Sequence, residues 1–180
     1  MEQSKKLTNK SETRRALLLK PDFLVHMTFA DKTDLRNAAK KTRGIVICPR
    51  ANASLAEGIP DFLMMAKNGC TVAIGTDNVM INSSDMFREM DYLWKVSMGT
   101  RKKRVDPKEI LKMATVNGGV ILGKKIGSIQ SGYFADAIFF DKHAIDLEPM
   151  HNPHTAIVHR ASESAIRAVM VGGKIVHGRL

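Results

Sequence analysis

Three short apolar runs, each preceded by a helix-patterned stretch and none alternating with polar residues, constrain this chain more than any other feature. The first, Phe23-Leu24-Val25, ends on His26; the second, Ile45-Val46-Ile47-Cys48, is stopped by Pro49; the third, from Cys70 through Ile74, reaches Asp77 by way of Gly75 and Thr76. A strand that is apolar on both faces has to be covered on both faces, which is the condition of a parallel sheet flanked by helices. Repeated helix–strand units with this pattern place the chain in the α/β class. In a β/α barrel the residues at strand C-terminal ends line the functional mouth, so His26 and Asp77 are predicted to share one site.

The intervening segments support that order. Residues 11–20 are patterned as a helix closed by Pro21. Residues 31–42 form a second helix with Asp31 or Thr33 as cap and Leu35, Ala38 and Ala39 as the apolar face. Residues 59–68 form a third, ending at Gly69. Beyond Asp77, Ser83 or Ser84 is expected to cap a helix over 85–98, and Asp106-Pro107 to open another that ends at Thr115; residues 117–122 add a further turn or two. From Gly127 the character changes: residues 128–130, 135–140, 165–171 and 174–177 read as short β segments, and Gly172-Gly173 as a hairpin turn. The expected division is a partial β/α barrel over residues 1–122 and an antiparallel β portion over 123–180.

Length sharpens the reading. A full β/α barrel takes roughly 250 residues, whereas this chain has 180, of which 44% are hydrophobic; only part of a barrel fits. Lys and Arg number 28 against 18 Asp and Glu, giving a net charge of +10. The basic residues fall in short clusters, at 40–43, 101–104 and 124–125, without interleaved aromatics, which reads as solvated surface and argues against a nucleic-acid partner. Cys48 and Cys70 lie in separate apolar runs with no paired spacing, so both are expected to be buried reduced thiols. The amino terminus is polar and its only apolar cluster, residues 16–19, is too short for a signal peptide or a membrane span. A cytoplasmic protein with no membrane attachment is the expectation.

Four residues stand out as candidates for chemistry. Asp77, a carboxylate at a strand tip, reads either as a metal or proton-transfer group or as a turn or helix cap. His26 reads either as functional or as a hydrogen-bonded core histidine. Arg50 and Asn52 follow the middle strand on the same rim, where either could contact substrate, or Asn52 could pin the loop through its amide. His151, His154 and His159 are read as loop residues without a metal role, because Pro153 interrupts a regular helix; His143 and His177 are isolated. The methionines sit at spacings expected of apolar helix faces.

In combination these motifs resemble a known family, the metal-dependent amidohydrolases of the cytosine deaminase, S-adenosylhomocysteine deaminase and chlorohydrolase group. The carriers are Leu24-Val25-His26; Cys48-Pro49-Arg50-Ala51-Asn52 followed by Gly58-Ile59-Pro60; Gly75-Thr76-Asp77-Asn78 followed by Asn82-Ser83 and Phe87-Arg88-Glu89-Met90; and a tail running from Gly127-Ser128-Ile129 to Val171-Gly172-Gly173-Lys174. The resemblance implies the carboxyl-terminal part of a TIM-like (β/α)8 barrel, its last three strands, together with a small antiparallel β-sandwich portion. It implies that Asp77 binds a divalent metal and shuttles a proton, and that His26 orients the hydrolytic water or the substrate. The metal would be zinc first, with iron or manganese as alternatives, and the substrate a small heterocycle losing ammonia.

The family's His-x-His on the first strand and its fifth-strand histidine have no counterpart in this sequence. A catalytic zinc ion takes three protein ligands and an open position, so with Asp77 and His26 alone the site is incomplete, and the chain by itself is expected to bind such a metal poorly. A complementary amino-terminal half or a homo-oligomer is the expected partner. The alternative is a catalytically incomplete fragment or interaction subunit, since an uncovered sheet edge invites pairing.

Overall fold

Each apolar run forms a strand, but shorter than the run itself. In a computed structural model that describes residues 6–101 and 104–180, β1 (Leu24–Val25), β2 (Ile45–Ile47) and β3 (Val72–Ile74) pair in parallel in the order β1-β2-β3. Leu24 stands opposite Ile45, and Ile47 opposite Ile74. Gly44 is required where the chain enters β2: a Cβ there would lie 2.4 Å from the Thr71 carbonyl oxygen, which accepts the Ile45 amide.

The helices begin where polar side chains satisfy their free amides. Ser11 caps α1 (Glu12–Ala16), which runs into a 3-10 turn over Leu17–Leu19, and Asp31 caps α2 (Lys32–Lys41). The Ser11 hydroxyl also donates to the buried Asp34 carboxylate at 2.6 Å, tying α1 to α2. Pro49, read from sequence as a strand stop, is in addition the first residue of α3 (Pro49–Ser54). Asp61 caps α4 (Phe62–Lys67), so this helix starts later than the sequence suggested.

Neither Ser83 nor Ser84 caps α5 (Met86–Arg101). Asp85 does, accepting from the Phe87 and Arg88 amides at 3.0 and 3.1 Å. Asp106 and Pro107 open α6 (Pro107–Ala114) as expected, and α7 (Val116–Leu122) ends at the left-handed Gly123. Leu35, Ile45, Ile47, Met65, Leu93 and Ile110 form the center of the main core, buried between the parallel sheet and these helices.

The remainder carries β4 (Ala137–Phe140), α8 (Pro153–Arg160), β5 (Ile166–Val171) and β6 (Lys174–Gly178), the strands pairing antiparallel in the order β4-β5-β6. Gly172 and Gly173, with φ of 55° and 81°, make the β5–β6 turn. Two expectations fail here. Residues 128–130 form no strand, and Ile129 is 95% exposed. Residues 153–160 are a helix and not a loop, because Pro153 occupies the first helical position, where the missing N–H removes no internal bond, and Asn152 caps the Thr155 amide. That helix packs on α5 and α6 and contributes Val158 to the main core. Ala156 of the same helix lies in a smaller core cluster against which Phe87 of α5 and Phe140 of β4 pack, and among the described residues no barrel closes.

His159 on α8 is a packed residue. Its ring stacks edgewise on Trp94 with centroids 3.9 Å apart, Nδ1 lies 3.4 Å from Asp91, and Nε2 is buried without a hydrogen-bond partner. Burial holds its pKa below the ordinary histidine value, opposed by Asp91 and aided by Lys95. An unfolded chain takes up a proton below about pH 6.5 that this folded site resists, so stability is full above that pH and is lost as pH falls through the window below it. His159→Phe keeps the ring contact and leaves Asp91 paired with Lys95 at 2.7 Å. Urea unfolding between about pH 5 and 7 is expected to show a flatter pH dependence for the variant than for the parent.

Candidate functional site

The ends of β1 and β3 turn abruptly. The His26 amide still donates to the Val46 carbonyl at 2.8 Å, after which His26 and Met27 adopt φ of 64° and 55°; beyond β3, Gly75 donates to Ile47 at 2.9 Å and Asp77 adopts φ of 60°. Left-handed conformations cost L-residues about 1 kcal/mol or more, and histidine and aspartate are among those that tolerate them. Their use at two strand tips turns both side chains toward one mouth. His26 Nε2 lies 3.7 Å from Asp77 Oδ2, with the side chains 37% and 31% exposed. The strand-tip carboxylate is therefore partly open to solvent and not buried.

Behind His26 stands a fixed second layer. Nδ1 is 2.8 Å from the Asn52 amide oxygen, and Asn52 Nδ2 donates to Thr28 Oγ1 at 2.7 Å. Asn52 is only 1% exposed. With the amide oxygen facing the ring, Nδ1 is the donor of that bond, and Nε2 faces the mouth. Asn52 thus contacts His26 and Thr28. Arg50 is likewise committed within the protein: its guanidinium donates to Ser83 O and Oγ at 3.3 and 3.4 Å and lies 3.5 Å from Glu89 Oε1, while its amide donates to Glu89 Oε2 at 3.3 Å.

Two residues at this mouth escaped the sequence reading. Cys48, at the end of β2 between the two tips, groups with His26 and Asp77: one ligand atom from each lies within 4.8 Å of the others. Burial pushes its thiol up to about 11, with the Asp77 and Glu89 charges adding to the effect. Its position was readable, since it terminates the middle strand as His26 and Asp77 terminate the outer ones. Glu89 on α5 is fully buried; burial raises its pKa, and Oε1 has no hydrogen-bond partner. A carboxylate three residues after Met86 and four before Leu93 lies on the apolar stripe of that helix, which was the available signal.

The donor set fits part of a divalent metal center. With bonds of about 2.0–2.2 Å to nitrogen and oxygen, a single ion can bridge groups 3.7 Å apart, so His26 Nε2 and Asp77 Oδ2 are within reach of one cation. His143 and His154 join no such group among the described residues.

Comparison with known proteins identifies the family and the fold. The amidohydrolase family pattern matches residues 8–176. A protein of Methanothermobacter thermautotrophicus is 37% identical over 169 residues, covering 94% of this chain and 42% of the relative. The 5'-deoxyadenosine deaminase of Methanopyrus kandleri is 36% identical over 161 residues, covering 84% and 36%. Among solved structures, an adenosine deaminase from Xanthomonas campestris with bound zinc superposes with a TM-score of 0.88 at 27% identity, over 97% of this chain and 42% of that one.

The fold and the paired strand tips define an α/β protein with a partial metal-ligand group. The chain belongs to the amidohydrolase family. It spans about two fifths of the length of the relatives it matches. Among the described residues, no helix is long and apolar enough to cross a membrane.

Proposed function

We propose that this chain is the carboxyl-terminal section of a metal-dependent hydrolase acting on carbon–nitrogen bonds other than peptide bonds, and that the whole enzyme deaminates a nucleobase, nucleoside or related cyclic amidine. In this reading β1 to β3 are the last three strands of a TIM-like (β/α)8 barrel, residues 1–122 belong to that barrel, and residues 123–180 to a small β-sandwich portion. The approach of His26 to Asp77 at 3.7 Å, on the tips of two parallel strands, carries the reading. The deaminases of Methanopyrus and Xanthomonas point to an aminopurine nucleoside as the substrate class.

Asp77 would hold the metal, zinc in the first instance. When bound, a divalent ion lowers the pKa of its water toward neutrality. Asp77 accepts a proton from the attacking water and passes it to the leaving nitrogen. The His26 Nε2 lone pair accepts a hydrogen bond from that water and aims it, while Asn52 holds the ring. The water oxygen bonds to the carbon bearing the amino group, the carbon–nitrogen bond breaks, and ammonia departs with the proton from Asp77. Arg50 serves this arrangement indirectly, by bracing the end of β2 against α5.

Further ligands and the rest of the substrate pocket would come from a complementary amino-terminal section or a second copy. Apolar side chains exposed at Val25 on the edge strand and at Ile138, Val171 and Val176 on the second sheet support an interaction of that kind. The same exposure favors the second reading, an interaction subunit without turnover. Co-expression with the amino-terminal section of the Methanothermobacter relative separates them. The expected result is a stoichiometric complex that, with zinc, releases ammonia from adenosine or 5'-deoxyadenosine. A complex without ammonia release from a panel of aminopurines selects the interaction subunit; neither complex nor ammonia overturns both.

A further inference from the structure

We propose that this chain, without a partner, holds a thiophilic divalent cation of the zinc or cobalt class between His26 Nε2, Cys48 Sγ and a carboxylate oxygen of Asp77. The inference goes beyond the deaminase reading, which needs no ligand from Cys48, and it reverses the expectation of poor metal binding drawn from two donors alone.

Three observations carry it. First, the sheet register brings together one donor from each of three adjacent strand ends, all within 4.8 Å of one another. Zinc–sulfur bonds of about 2.3 Å and zinc–nitrogen bonds of about 2.0 Å set tetrahedral neighbors about 3.5 Å apart. The His26–Asp77 separation of 3.7 Å already approaches that value, and since no two of the donors are more than 4.8 Å apart, none has to close by more than about 1.3 Å.

Second, the donors are prepared. Asn52 occupies His26 Nδ1 and leaves Nε2 for the ion, the arrangement by which second-layer groups orient metal-bound imidazoles. Cys48 Sγ lies against the backbone of Gly75 and Asp77, which hydrogen-bond it and favor its thiolate form, and a Cβ at Gly75 would stand 3.5 Å from the sulfur.

Third, the nearby guanidinium of Arg50 is drawn aside onto Ser83 and Glu89. The mouth therefore presents an imidazole, a thiol and a carboxylate. On binding, the Cys48 thiol releases its proton to solvent as the sulfur–metal bond forms, and the three donors leave one position of a tetrahedron for water.

Cobalt(II) titration of the reduced, metal-free chain tests this, because a thiolate ligand gives a near-ultraviolet sulfur-to-cobalt charge-transfer band that nitrogen and oxygen donors do not. The expected result is that band, saturating at one equivalent together with visible bands of tetrahedral intensity, and bleached by zinc. Cys48→Ser is expected to lose the band and to weaken affinity at least about tenfold, whereas Cys70→Ser, at a thiol that faces the Leu35 carbonyl elsewhere, keeps both. Should Cys48→Ser fail to fold by circular dichroism, His26→Asn provides the second test: asparagine tolerates the left-handed backbone, and the band should persist with reduced affinity and altered visible spectrum. Cobalt binding without the charge-transfer band in the parent, or a band unchanged in Cys48→Ser or retained at full affinity in His26→Asn, overturns the inference. None of these measurements depends on ammonia release, so failure here leaves the deaminase reading to its own test.

Discussion

Asp77→Asn is expected to reduce ammonia release by the reconstituted enzyme on the order of 10³-fold while leaving the fold in place. The substitution suits the backbone: Asp77 has φ of 60°, and asparagine enters the left-handed region as readily as aspartate. It preserves the shape of the side chain and removes the negative charge and the proton-accepting oxygen. Asp77→Ala is the weaker test, because a left-handed alanine adds backbone strain of about 1 kcal/mol and confuses instability with lost chemistry. Ammonia release, bound metal by atomic absorption and the urea midpoint should be measured on the same preparation. A variant that keeps the parental midpoint and more than a tenth of the turnover removes Asp77 from the proposed role.

Asn52→Ala is expected to lower metal affinity or turnover by about 10- to 100-fold, the range seen when a group orienting a metal-site histidine is lost. It also leaves half-buried polar groups without partners, His26 Nδ1 and Thr28 Oγ1, at about 1 kcal/mol of stability. Asn52→Asp distinguishes orientation from packing. Its carboxylate accepts from the His26 Nδ1–H and from the Thr28 hydroxyl, so it should recover turnover well above the alanine level. If the two variants have equal activity at equal stability, Asn52 does not position His26. A selective rise in KM in both would instead return Asn52 to a substrate-contacting role.

Much of the architecture was legible because it is written by near neighbors in the chain. The absence of alternation in the three apolar runs announced a sheet covered on both sides, and β1, β2 and β3 are indeed parallel and adjacent in order. Asp31, Asp106-Pro107 and Gly172-Gly173 each act within a few residues, and they cap or turn the chain where the sequence said they would. The misread helix α8 shows the limit of the same approach. Pro153 breaks a helix interior but begins a helix readily, and which rule applies depends on whether a cap precedes it; Asn152 provided that cap.

The candidate site was legible by half. His26 and Asp77 were visible as polar tips on apolar strands, but their separation, the left-handed turns that aim them, and their partial exposure were not. Arg50 and Asn52, five residues or fewer past the end of the same strand, were both read from sequence as able to contact substrate, with loop pinning as the alternative for Asn52. The fold gives the first to Glu89 and Ser83 and the second to His26 and Thr28.

The sequence by itself determined the alternation of helix and strand and the chemistry available at the strand ends. Only the tertiary structure decided which of those groups meet. His26, Cys48 and Asp77 are separated by 20 residues or more in the chain, and their approach to within 4.8 Å depends on the parallel register of three strands. That register is set by the packing of Leu35, Ile45, Ile47, Leu93 and Ile110 in a common core, a cooperative property that no local segment encodes.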